Sequence, residues 1–122
     1  MIDKTPERRA HPRFPKELAG HIVGHKGHEA IALRTYNISC SGLYCHVPVF
    51  VPPFTRLKVA VFMHPPAGHE AEPVRLEFDG VVVRTVPEEE TAGATQYHLA
   101  IFFDGITEKQ RALIHQCLEA NP

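Results

Sequence analysis

No apolar run in the 122 residues approaches the ~18 consecutive residues of a membrane-spanning helix. Residues 1–20 also contain no hydrophobic stretch of the signal-peptide kind. Neither membrane insertion nor secretion is therefore expected. Net charge is nearly absent. Thirteen Lys+Arg against fourteen Asp+Glu leave −1, which argues against a protein that coats nucleic acid through bulk charge. Cysteine is scarce: Cys40, Cys45 and Cys117 are an odd number, too few for a disulfide scaffold, and they fit a reducing cytoplasm. There is no internal repeat, no glycine-rich phosphate loop, no Cys-x2-Cys pair and no Ser-His-Asp spacing. An enzyme or a structural zinc site is accordingly not expected.

What is present is enough apolar matter, 43% of residues, to fill one modest core. The length suits a single domain of the usual ~100–200 residues. Charge is unevenly placed. Residues 1–16 hold Lys4, Arg8, Arg9, Arg13 and Lys16 against Asp3 and Glu7, a basic head on a mildly acidic body. Pro6, Pro12 and Pro15 deny that head helical or strand periodicity, so residues 1–15 are expected to form a flexible, extended arm.

Beyond the arm, strand signals dominate. Leu18 to Val23, Glu29 to Ile38 and Gly42 to Val49 are candidate strands, and Ile31, Leu33 and Thr35 fall on one side of the second. Leu57, Val59, Val61 and Met63 alternate with Lys58, Ala60, Phe62 and His64, the period of a half-buried strand. Val74, Leu76 and Phe78 do the same, with Gly80 predicted to mark a bend or bulge before Val81 to Val86. Pro87 to Thr95 reads as a plain loop, and Tyr97, Leu99, Ile101 and Phe103 form the last alternating face. The period then changes. Thr107 and Gln110 match a capping box, while Leu113, Ile114, Cys117 and Leu118 share one helical face, predicting a helix over 107–118. Six short strands and a terminal helix imply a small all-β barrel or sandwich, its open end covered by the helix.

Two segments carry possible chemistry. In Glu7-Arg8-Arg9-Ala10-His11-Pro12-Arg13, three guanidinium groups lie within six residues. Each is a planar fork of donors suited to phosphate and to the guanine edge. Extended, positions 9 and 13 reach at most ~13 Å apart, enough to bracket a dinucleotide-sized anion. In Asn37-Ile38-Ser39-Cys40-Ser41-Gly42, Asn and Ser can bond their own backbone and open a turn. Gly42 permits a positive φ or a close backbone approach. Taken singly, the first segment fits a solvated basic terminus and the second an ordinary turn.

Taken together, they resemble the PilZ domain family of bacterial receptors for the second messenger cyclic di-GMP. That family pairs an Arg-x-x-x-Arg arm with a later [Asp/Asn]-x-Ser-x-x-Gly; Arg9 and Arg13 match the first, and Asn37, Ser39 and Gly42 match the second. The resemblance implies a six-stranded antiparallel β-barrel over residues 16–122, with the arm at 1–15 folding over one face when ligand binds. It implies that Arg9 and Arg13 engage phosphates and guanine edges, that Asn37 and Ser39 contact a guanine, and that Gly42 keeps the surface clear for the ring. Arg8, just before the arm motif, is compatible with two stacked ligand molecules or with one. Two departures stand out: Asn37 where Asp is frequent, offering one acceptor oxygen in place of a carboxylate's two, and Ala100 where many relatives have Gly. The implied function is that of a non-enzymatic, cytoplasmic signal-transduction effector. It has no cofactor, and it passes nucleotide occupancy to an unidentified downstream protein.

Three other readings are weighed against it. A PilZ-like interaction module without nucleotide binding would be expected to lack the arginines, which are present here. A single-stranded nucleic-acid barrel would interleave basic and aromatic residues along its strands, whereas these strands are mostly neutral or acidic. A metal site built on His21, His25, His28, His64 and His69 lacks the tight recurring spacing of zinc ligands. Those histidines are expected in exposed loops, and the cysteines as small buried apolar groups.

Overall fold

The computed structural model describes residues 14, 17–23, 30–63 and 74–120. Six strands and one helix follow in chain order: β1 (Ala19–Val23), β2 (Ala30–Ile38), β3 (Gly42–Val47), β4 (Arg56–Met63), β5 (Val74–Val86), β6 (Tyr97–Phe103) and α1 (Glu108–Ala120). The strands close into a barrel in the order β1-β2-β3-β6-β5-β4, and β4 pairs back onto β1. Every pairing is antiparallel. Closure removes the open strand edges that a sheet of this size would otherwise expose.

Alternation decides which side chains fill the barrel. Ile31, Leu33 and Thr35 of β2, Leu57, Val59, Val61 and Met63 of β4, and Tyr97, Leu99, Ile101 and Phe103 of β6 all point inward and are buried. Phe78 stacks on Phe103 with ring centroids 4.7 Å apart. Burying a Val, Leu, Ile or Phe side chain contributes roughly 1.5–3 kcal/mol, so these stripes supply most of the drive to close the barrel. Two inward hydroxyls are satisfied by backbone. Thr35 Oγ1 accepts from Leu18 N–H at 2.9 Å, and Thr85 Oγ1 donates to the Val51 carbonyl at 2.7 Å.

The helix is capped as its sequence predicts. Gln110 N–H donates to Thr107 Oγ1, and Thr107 N–H donates to Gln110 Oε1, both at 3.1 Å. Thr107 is the cap, so the helix proper begins at Glu108, and it continues two residues past Leu118. Ile114, Cys117 and Leu118 join the barrel core. Gln110 Nε2 donates to the Glu77 carbonyl at 3.1 Å, and Cys40 Sγ donates to the Arg111 carbonyl at 3.4 Å. These bonds seat the helix against β5 and the β2–β3 turn.

Two sequence expectations are corrected. Gly80 marks no bulge: β5 runs unbroken from Val74 to Val86, and its register shift lies three residues on, between Val82 and Arg84. Gly80 is small for another reason. A Cβ there would stand 2.7 Å from Ile101 Cγ2 across the sheet. His21 is not in a loop; it lies within β1, half-buried, beside Arg75 and the Phe62 ring. His25, His28, His64 and His69 lie outside the described residues. Cys40, Cys45 and Cys117 are buried free thiols, and desolvation pushes all three pKa values up, that of Cys45 to about 12.

Candidate functional site

The Asn-Ser-Gly segment forms the end of β2, a tight turn and the start of β3. Ser39 N–H donates to the Gly42 carbonyl at 2.9 Å, closing the turn. The Ser39 hydroxyl is fully buried. It accepts from Ser41 N–H at 3.1 Å and lies 3.0 Å from Ser41 Oγ. Gly42 has no side chain because β3 comes too close to β6: a Cβ would fall 2.3 Å from the Ile101 carbonyl oxygen. Phe103 N–H donates to the Ser41 carbonyl at 2.8 Å, tying the turn to the end of β6. Asn37, half-buried, pairs with Tyr44 in the β2–β3 ladder.

One contact relates the two sequence motifs. Phe14 and Ile38 exchange both backbone hydrogen bonds, Phe14 N–H to the Ile38 carbonyl at 2.8 Å and Ile38 N–H to the Phe14 carbonyl at 3.0 Å. Ile38 is the residue between Asn37 and Ser39, and Phe14 is peptide-bonded to Arg13. The Phe14 ring also meets His115 of α1 edge-on, centroids 6.4 Å apart. The chain that leaves the arm is therefore fastened to the middle of the second motif. Arg8, Arg9 and Arg13 themselves lie outside the described residues, as does His11.

Strand register builds the wall next to this junction. Asn37 of β2 stands opposite Tyr44 of β3, Tyr44 opposite Ala100 of β6, and Ala100 opposite Arg84 of β5. The adjacent row runs Arg34, His46, His98, Val86 across the same four strands. A β-bulge at Tyr36 places its ring over both rows, 4.8 Å from His46 and 6.0 Å from Tyr44 and from His98, centroid to centroid. An open cavity of about 390 Å³ results, lined by Tyr36, Tyr44, Arg84, Val86, His98 and Ala100 together with Leu99. Its aromatic and guanidinium lining suits a flat, electron-rich heterocycle. Among the described residues, no carboxylate pairs with Arg34 or Arg84.

Two groups on this wall titrate away from their ordinary values. Burial, and next the neighbouring His98, hold the His46 imidazole below the usual histidine pKa, with Glu17 opposing. Burial, then Cys45 and Tyr44, raise the Tyr36 phenol, with Arg84 opposing. The Gln96 amide donates to His46 Nδ1, making that nitrogen the acceptor.

Sequence motifs pointed to the turn but not to Tyr36, Tyr44, His46, Arg84 or His98. The available signal was phase. On β3 and β6 these residues occupy the positions between the inward ones, where a purely solvated face has little use for aromatic rings. No group of three or more metal-ligating side chains occurs among the described residues.

The family model for the PilZ domain matches residues 7–120. The chain belongs to the PilZ domain family. No curated protein matches it by sequence. Among solved structures, the Bacillus subtilis inhibitor of motility MotI/DgrA superposes with a TM-score of 0.68 at 20% identity, over 95% of this chain and 52% of the other. The present PilZ domain thus spans about half the length of that protein. The PilZ domain of YcgR from Escherichia coli, solved with c-di-GMP, superposes with a TM-score of 0.63 at 13% identity, covering 93% of this chain and 91% of that one. At these identities the likeness establishes the shared fold, the closed six-stranded barrel with its terminal helix.

Proposed function

We propose that this PilZ domain is a receptor for cyclic di-GMP that transmits its occupancy to a partner protein through a change in conformation. The observation that carries the reading is the Phe14–Ile38 double hydrogen bond, because it fastens the root of the arginine arm between Asn37 and Ser39. Family membership supports it, as does a solved PilZ domain with c-di-GMP bound on the same fold.

In this reading Arg9 and Arg13 supply forked donors to the phosphates and to the N7 and O6 acceptors of guanine, with guanidinium planes stacking on the rings. Arg8 adds positive charge, compatible with two stacked ligand molecules or with one. Asn37 meets the guanine Watson–Crick edge with its single amide acceptor, so binding is weaker than for an Asp version. Ser39 and Gly42 act on the site through shape: the buried hydroxyl braces the turn, and the missing side chain lets β3 lie close on β6. The ligand's negative charge draws residues 1–13 onto the barrel wall, and the surface so formed is what a partner reads. No bond is made or broken.

Calorimetric titration with cyclic di-GMP tests this. Saturable heat is expected, and its absence at ~100 μM ligand, roughly −5.5 kcal/mol, would rule out a physiological receptor. Arg9→Ala and Arg13→Ala are each expected to cost ~1.5–3 kcal/mol, the scale of a hydrogen bond to a charged group. Wild-type affinity in both would reduce the arm to a tail, whereas no saturable heat at all would leave the interaction module without nucleotide as the better account.

A further inference from the structure

Nine histidines are many for a chain of this length, and two of them meet on the barrel wall. His46 of β3 and His98 of β6 are direct cross-strand partners with ring centroids 4.5 Å apart. The register puts them one row from Asn37, Tyr44 and Ala100, and His98 lines the cavity that this row borders. With strands ~4.8 Å apart and ~3.4 Å of rise per residue, His98 lies ~12 Å from Asn37 along the wall. The two rows themselves are only ~7 Å apart, two residues of strand rise and within the ~8–10 Å Debye length, so a dianion seated on the adjacent row acts on the pair.

Among the described residues, the groups facing the pair are aromatic, amide and apolar side chains, two guanidinium groups and one carboxylate. From β2 come Arg34, the partner of His46 in register, and the Tyr36 ring, which stands edge-on to both imidazoles. From β3 comes Tyr44, and from β5 Arg84 and Val86. On β6's approach, Gln96 donates to His46 Nδ1. Among the described residues, Glu17 is the carboxylate whose charge is felt at His46. Burial and the neighbouring His98 disfavour a proton on His46 while no anion is near. A dianion on the adjacent row reverses that balance.

We propose that the His46–His98 pair is the proton-responsive border of the ligand site, taking up a proton as cyclic di-GMP binds, so that affinity rises as the pH falls from about 8 to about 6. The proton is assigned to the pair rather than to either ring, because the rings stand 4.5 Å apart and a charge on one opposes a charge on the other. His46 takes it up at Nδ1 only once the Gln96 amide nitrogen turns away. Phosphodiester and guanine groups keep their charge over this range, so a change in affinity reports on the protein. The inference rests on the proposed function and adds a regulator to the same site.

Titration of the full chain with cyclic di-GMP at about pH 6 and about pH 8 is the test, and an affinity gain of about three- to tenfold at the lower pH is expected. In buffers of different ionisation enthalpy the apparent binding heat should change in the direction of proton uptake, a readout that needs no variant. In the double variant His46→Gln, His98→Gln the ratio of affinities at the two pH values should fall to about one. Equal wild-type affinity at both values overturns the inference, and so does a pH dependence that survives in that variant and disappears in His11→Gln. Such results would leave the receptor reading standing. Failure to bind at any pH would overturn both.

Discussion

Gly42 shows how a residue in a ligand motif can serve the fold first. Its missing side chain is explained by the Ile101 carbonyl, 2.3 Å from where a Cβ would sit, before any ligand is considered. Gly42→Ala is therefore expected to push β3 from β6 and destabilise the folded protein by roughly 1–3 kcal/mol, measurable by urea unfolding, with no ligand present. Unchanged stability would mean that the glycine answers to the ligand alone. Ser39 was legible in the sequence as a turn residue, but its burial was not. A hydroxyl that accepts from Ser41 N–H two residues away is a local choice, whereas the partners that hold the next two residues, Arg111 of α1 at Cys40 and Phe103 of β6 at Ser41, arrive later in the chain.

At the scale of elements, alternation made the inward stripes readable, because the two-residue period of a strand assigns every side chain to a face without knowledge of its neighbours. Tyr97, Leu99, Ile101 and Phe103 needed nothing more. The wall of Tyr36, Tyr44, Arg84 and His98 could not be read in that way. It exists only because β3 lies beside β6 and β6 beside β5, pairings that bring Tyr44 and Arg84 to either side of Ala100 and are specified by no local signal. The bulges at Tyr36 and Val83 re-aim side chains on the same wall, and the glycine that looked like a bulge signal proved to be a packing position. The helix is the opposite case, since Thr107 and Gln110 encode its start within four residues. Thr107→Ala should cost about 1 kcal/mol in chemical denaturation. An unchanged midpoint would show that packing of Ile114, Cys117 and Leu118 holds the helix without its cap.

The whole molecule is a closed barrel whose thiols are kept inside while the aromatic row of the proposed site is on one outer wall. Cys40, Cys45 and Cys117 are buried, and burial raises each thiol's pKa. A thiol-specific reagent at mildly alkaline pH should accordingly find no fast-reacting cysteine in the native protein and three after denaturation. Rapid labelling of even one native thiol would mean that the barrel or its helix opens far more readily than its core implies. On the outer wall, the arm root, the turn and the aromatic row are parts of a single surface, and the account requires Arg13 and Asn37 to hold the same ligand from two sides. The most direct measurement is a double-mutant cycle on cyclic di-GMP affinity with Arg13→Ala, Asn37→Ala and the pair. The account predicts a coupling of at least about 0.5 kcal/mol between the two residues, as for groups that share a partner. Strictly additive losses, or a wild-type protein that does not bind the nucleotide, would contradict it.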